Sequence, residues 1–174
     1  MGGDARMTCV IGLIRNGHIY MGSDSLSLDG WHRVRTPHKK IFRKGDMLIG
    51  TAGNQRISDI IEYNLVLPDE AAGDYLGAVF IPALRACIDE HGGKIEDSTL
   101  LIGYKGELFF VGEDFSFLEV GSYEAIGAGA KYALGYMYAM EKTCLSPERL
   151  ITKALECAAW FSASCAGPFV VEVA

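Results

Sequence analysis

The sequence predicts an α+β protein: a four-layer αββα sandwich, two antiparallel sheets flanked by helices. Three observations predict it. The residue patterns fall into blocks in the order strands, two helices, strands, two helices, strand. Short turn-forming segments join strands that follow one another in the chain, which makes those pairings antiparallel. Residues 99–104 (Thr-Leu-Leu-Ile-Gly-Tyr) are apolar on both sides, as a strand must be when one face meets a second sheet and the other lies under helices.

Residues 8–15 and 18–25 form a hairpin across Asn16-Gly17, a pair that tolerates the positive φ of a tight turn. A short strand covers 33–36. Residues 39–43 and 47–52 form a second hairpin across Lys44-Gly45-Asp46. Ile57, Ile60, Ile61 and Leu65 recur at helical spacing, and Pro68 stops that helix. A second helix spans about 74–90 with Leu76, Val79, Phe80, Leu84 and Ile88 on one stripe; Pro82 inside it should kink it. Residues 98–104 and 107–112 pair across Lys105-Gly106, and 116–120 adds a strand. A third helix follows Gly127-Ala128-Gly129 and runs to about 142. Ser146-Pro147 starts a fourth, serine as cap and proline in the first turn, and it continues to about 163. Trp160 and Phe161 are expected to anchor it in the core. Residues 169–173 form the last strand.

The 174 residues suit one domain, 8–174, behind a leader of residues 1–7. The net charge of −6 and the lack of a basic stripe exclude a nucleic-acid surface. No apolar run is long enough to span a membrane, and the leader has no apolar core, so it is not a secretory signal. The five cysteines show no metal-type spacing and suit a reducing compartment; a cytoplasmic location follows. His18, His32, His38 and His91 are scattered and imply no metal site.

The chemistry gathers at the start of the chain. Thr8 opens the first strand. If the Met7–Thr8 bond is cut, Thr8 carries a hydroxyl and a free α-amine, a nucleophile beside its own base. The hairpin returns Asp24 to the level of Thr8, and Lys40 follows on a later strand. Taken singly, Thr8 is a β-branched residue in a strand, Asp24 a turn residue, Lys40 a surface cation and Gly50 a bulge. The combination carries the inference.

At these residues the chain resembles the N-terminal nucleophile hydrolases, in particular the bacterial HslV protease subunit and the proteasome β-subunit. The resemblance rests on Thr8-Cys9-Val10-Ile11 with Arg15-Asn16-Gly17, on Gly22-Ser23-Asp24 and on Lys40-Ile41. It extends through Leu48-Ile49-Gly50-Thr51-Ala52-Gly53 and the stretch from Ala125 to Leu134. It implies the N-terminal nucleophile hydrolase fold and a threonine endopeptidase that processes itself and works through an acyl-enzyme. Thr8 would be the nucleophile, Lys40 the cation that tunes its amine, Asp24 the carboxylate that holds Lys40, and Gly50 the source of an oxyanion N–H. Ser27, His38, Thr51 and Ala52 would wall the substrate pocket. The resemblance further implies peptide or unfolded-protein substrates, no cofactor, a ring of identical subunits and an ATP-dependent unfoldase partner. Two positions depart from the family pattern: Ala128 where it has serine, and Trp160 where a gapless match puts aspartate, with Ser162 and Ser164 close by. Two further readings stay open: an amidase acting on small amides, and a ring-forming structural or regulatory subunit with Thr8 blocked.

Overall fold

The structure is a computed structural model that describes residues 7–29, 32–35, 39–69 and 73–174. The leader through residue 6, and His38, lie outside the described residues. β1 (Val10–Arg15) and β2 (His18–Ser23) turn on Asn16 and Gly17, both at positive φ. β10 (Tyr123–Ile126) pairs with the other edge of β1, and β11 (Val170–Val173) with the other edge of β2. The order of this first sheet is β10-β1-β2-β11. The second sheet runs β5-β6-β7-β8-β9, from β5 (Ile41–Lys44), β6 (Met47–Ala52), β7 (Thr99–Tyr104), β8 (Glu107–Val111) and β9 (Phe117–Val120). Every pairing is antiparallel, as expected.

Two strands were not foreseen. β3 (Leu26–Asp29) pairs with β4 (His32–Arg35) in a separate ribbon, of which only the second strand was expected. β10 is short, half polar and framed by glycines, so its alternation is too brief to register.

The helices divide between the two outer faces. α1 (Gln55–Asn64) ends before Pro68, and Asn54 caps it by accepting the Arg56 N–H. Where Pro82 should kink the second helix, Leu76–Phe80 is a π-helical turn, and α2 (Ile81–Glu90) follows it without a break, with Pro82 at its second position. The Ile81 N–H reaches back five residues to the Leu76 carbonyl, and this wider turn stands where the proline has no N–H to give to the ladder. α3 (Ala130–Ala139) and α4 (Pro147–Phe161) cover the other sheet, and Ser146 caps α4 as expected.

Three apolar layers hold this stack. Val10, Ile19, Met21, Ile41, Leu48, Leu101 and Leu108 fill the space between the sheets. Ile49, Ile57, Ile61, Phe80, Leu84 and Ile88 join the second sheet to α1 and α2. Cys9, Ile11, Ala133, Met137, Ile151 and Leu155 join the first sheet to α3 and α4. The four-layer sandwich is therefore the observed fold. Trp160 and Phe161 do not anchor α4: they are 84% and 62% exposed. The inward stripe of α4 is Leu150, Ile151, Ala154, Leu155 and Ala158, and Trp160 lies about 200° around the helix from Ala158. Phe161 stacks on Tyr132 at the surface, with ring centroids 5.6 Å apart. Among the described residues no helix is long and apolar enough to cross a membrane.

Candidate active site

β1 and β2 place Thr8 and Asp24 at the same end of the first sheet, because Val10 lies opposite Ser23. The chain then crosses to β5, and Lys40 precedes that strand. The side chains of Asp24 and Lys40 meet: Lys40 Nζ donates to Asp24 Oδ1 at 2.8 Å. Both are buried, at 1% and 6% exposed. A buried charge is tolerated when it is paired and its remaining polar atoms are satisfied. Asp24 meets that condition fully. Oδ1 also accepts the Cys9 N–H (2.9 Å), and Oδ2 accepts the N–H groups of Leu26 (3.0 Å) and Ala166 (3.3 Å). Lys40 Nζ donates a second bond to the Leu26 carbonyl at 2.7 Å. Among the described residues this accounts for two of the ammonium's three N–H groups.

Thr8 is buried beside this pair, at 3% exposed. Its hydroxyl donates to the Met7 carbonyl oxygen, across the bond whose cleavage would free the threonine amine. Its own carbonyl accepts the Gly129 N–H at 3.1 Å, so the turn before α3 fixes the start of β1. Gly127 in that turn has φ +90°, and a Cβ there would run into the Thr8 carbonyl. Only glycine lets these two backbones approach so closely.

Thr8 and Lys40 share a cleft of about 160 Å³ with Met7, Leu26, Ser27, Thr51, Gly53, Asn54, Gln55 and Ser58. Its floor is polar: Thr51 Oγ1 donates to Ser58 Oγ at 2.9 Å, and both residues are buried. Thr51 N–H donates to the Lys40 carbonyl at 2.9 Å, which ties the cleft wall to the lysine backbone. The structure thus brings Thr8, Asp24, Lys40, Ser27 and Thr51 together.

Two expected residues stand elsewhere. Gly50 sits inside β6, opposite Ile41 on one side and Leu101 on the other. Because the Thr51 N–H points to β5, the Gly50 N–H points to β7 and belongs to the ladder. A side chain at Gly50 would press on Val10 Cγ1 (2.6 Å) and Met21 Sδ (2.9 Å), so this glycine permits sheet-to-sheet contact. Ala52 likewise faces the apolar layer between the sheets rather than the cleft. Trp160, the gapless counterpart of the family aspartate, points to solvent; the segment that reaches the site from the end of α4 is 162–166, through the Ala166 N–H.

Sequence reasoning missed Gly53, Asn54, Gln55 and Ser58. A signal existed: Gly53 is the residue where the β6 ladder ends, and Asn54 is the cap that opens α1. The Ala166 N–H left no signal, since it reaches Asp24 across 142 positions.

No family model matches the chain. The fold is shared with solved structures. BPH of Thiobacillus denitrificans, in complex with epoxomicin, superposes with a TM-score of 0.83 at 24% identity, over 96% of this chain and 98% of that one. Eukaryotic HslV from Trypanosoma brucei gives 0.72 at 17% identity, covering 95% and 98%. Anbu, described as an ancestral β-subunit, from Yersinia bercovieri gives 0.69 at 19%, covering 95% and 81%. The chain has the N-terminal nucleophile hydrolase fold of these proteasome-like proteins.

Proposed function

We propose that this chain is an N-terminal threonine hydrolase that cleaves peptide bonds through an ester on Thr8. The observation that carries the reading is the buried Asp24–Lys40 pair, its carboxylate fully hydrogen-bonded and its lysine lining the same cleft as Thr8. Scission of the Met7–Thr8 bond, toward whose carbonyl the Thr8 hydroxyl is already turned, would release the α-amine. Thr8 Oγ1 then attacks a scissile carbonyl carbon while the amine takes the hydroxyl proton. The tetrahedral intermediate collapses, the C–N bond breaks, and the leaving amine takes that proton back. Water enters by the same route and hydrolyses the ester. The Lys40 ammonium favours the neutral amine and stabilises negative charge on Oγ1. We assign the oxyanion donor to the backbone at Gly53 in place of Gly50, because Gly53 lies past the ladder and lines the cleft.

Intact-mass spectrometry with epoxomicin tests this. An epoxyketone carries two electrophiles: its ketone takes a hydroxyl and its epoxide an amine. It therefore reports a residue that offers both groups, and addition has no leaving group. The expected result is loss of residues 1–7, then a gain equal to the whole inhibitor, mapped to Thr8. A chain that keeps residues 1–7 and gains nothing overturns the proposal.

We further propose that copies of the chain assemble into a ring that encloses the clefts, with unfolded chains as substrate and an ATP-driven unfoldase to deliver them. The exposed Tyr138, Trp160 and Phe161 on α3 and α4 support an assembly contact. Trp160→Glu should leave folding stability within about 0.5 kcal/mol, since the side chain touches solvent. It should shift native mass spectra from the assembly toward the single chain. The free cysteines fit a reducing, cytoplasmic setting.

A further inference from the structure

On the helix side of β1, next to Thr8, two thiols meet. Cys9 and Cys165 are 0% and 3% exposed and pack around the same point beside Gly129. Gly129 leaves room for the contact: a Cβ placed there would lie 2.6 Å from Cys165 Sγ and 2.7 Å from Cys9 Cβ. The same two positions frame the carboxylate of the site, because Cys9 donates its N–H to one oxygen of Asp24 and Ala166, the residue after Cys165, donates to the other.

We propose that Cys9 and Cys165 form a redox-active dithiol that a hydroperoxide closes to a disulfide, clamping the backbone cradle of Asp24. The neighbouring Cys165 and burial hold the Cys9 thiol well above its ordinary range, and Cys9 in turn draws the Cys165 thiol down. Cys165 is also the less buried of the two, on the turn that follows α4, and it is the attacking sulfur. Its Sγ attacks the terminal oxygen of ROOH and the O–O bond breaks; the departing alkoxide takes the thiol proton and leaves as ROH. Cys9 Sγ then attacks the resulting sulfenic acid, and the expelled hydroxide takes the Cys9 proton and leaves as water. Two thiols and one ROOH become one disulfide, ROH and H₂O. Closure draws the sulfurs to about 2.05 Å and fastens the 162–166 turn to β1. This is thiol chemistry alone and stands whether or not Thr8 is a nucleophile.

The test treats the full chain with hydrogen peroxide, alkylates under denaturing conditions and maps the peptides. Two of the five thiols should become unreactive, with a Cys9–Cys165 cross-linked peptide that dithiothreitol reverses. Amide exchange across 162–167 should slow by about 10-fold in the oxidised form. Cys165→Ala should keep its four remaining thiols alkylatable. Five reactive thiols after peroxide, oxidation confined to exposed Cys144, or a bridge that leaves exchange at 162–167 unchanged would each overturn the proposal.

Discussion

Thr8→Ala is expected to abolish epoxomicin labelling and to lower peptide cleavage by at least about 10⁴-fold, the scale on which acyl-transfer enzymes lose rate when their nucleophile is removed. The substitution deletes the hydroxyl and leaves the backbone alone. The bond from Gly129 N–H to the Thr8 carbonyl persists, and so do the four bonds on Asp24. Folding should therefore lose no more than about 1 kcal/mol. Thr8→Ser retains a hydroxyl and an amine on one residue and should still label. Measured side by side, the variants separate loss of a reacting atom from loss of shape. A Thr8→Ala protein that cleaves peptides at wild-type rates removes Thr8 from the mechanism.

The largest stability effect belongs to Asp24. Asp24→Ala leaves three backbone N–H groups without their acceptor and strands the Lys40 ammonium in a buried position. Breaking a buried pair by removing one partner typically costs about 3–5 kcal/mol, a large share of the about 5–15 kcal/mol that holds a domain together. For a chain of this size that lowers the melting temperature by about 10 °C. Lys40→Met should be milder, since Asp24 keeps three backbone donors, yet it should still eliminate labelling. Asp24→Asn combined with Lys40→Met should lose less stability than the two single changes added together, because each single change leaves the other partner exposed to the penalty. Thermal melts of the set decide this. An Asp24→Ala protein that melts within 2 °C of wild type, taken as roughly 1 kcal/mol or less, would show that the pair contributes little to folding.

Local signals made much of this fold legible. Asn16-Gly17 marked the first hairpin, Lys105-Gly106 the third, and the Ser146-Pro147 cap the start of α4. That Thr8 and Asp24 lie at one end of a sheet was legible, because the two-residue turn fixes the register of the hairpin; Lys40 stands before β5 of the other sheet, and it reaches Asp24 between the sheets rather than along one edge. What escaped depended on distant partners. Trp160 was assigned to the core on its size, but the stripe of α4 that meets the sheet decides which side is buried. Gly50 is paired with β7 whereas Gly53, at φ +120°, lies past the ladder, and only the sheet reveals that. Pro82 signalled a disturbance without its form, which is a π-helical turn over Leu76–Phe80. The support that Ala166 gives Asp24 has no local trace.

That support has a consequence for timing. A ribosome delivers Thr8, Asp24 and Lys40 early, but Ala166 and β11, which flanks β2, only after more than a hundred further residues. The carboxylate cannot be fully cradled on a nascent chain until those late residues arrive. Until they do, Asp24 lacks its Ala166 donor and β2 lacks its outer neighbour, so the site takes its final form late in folding.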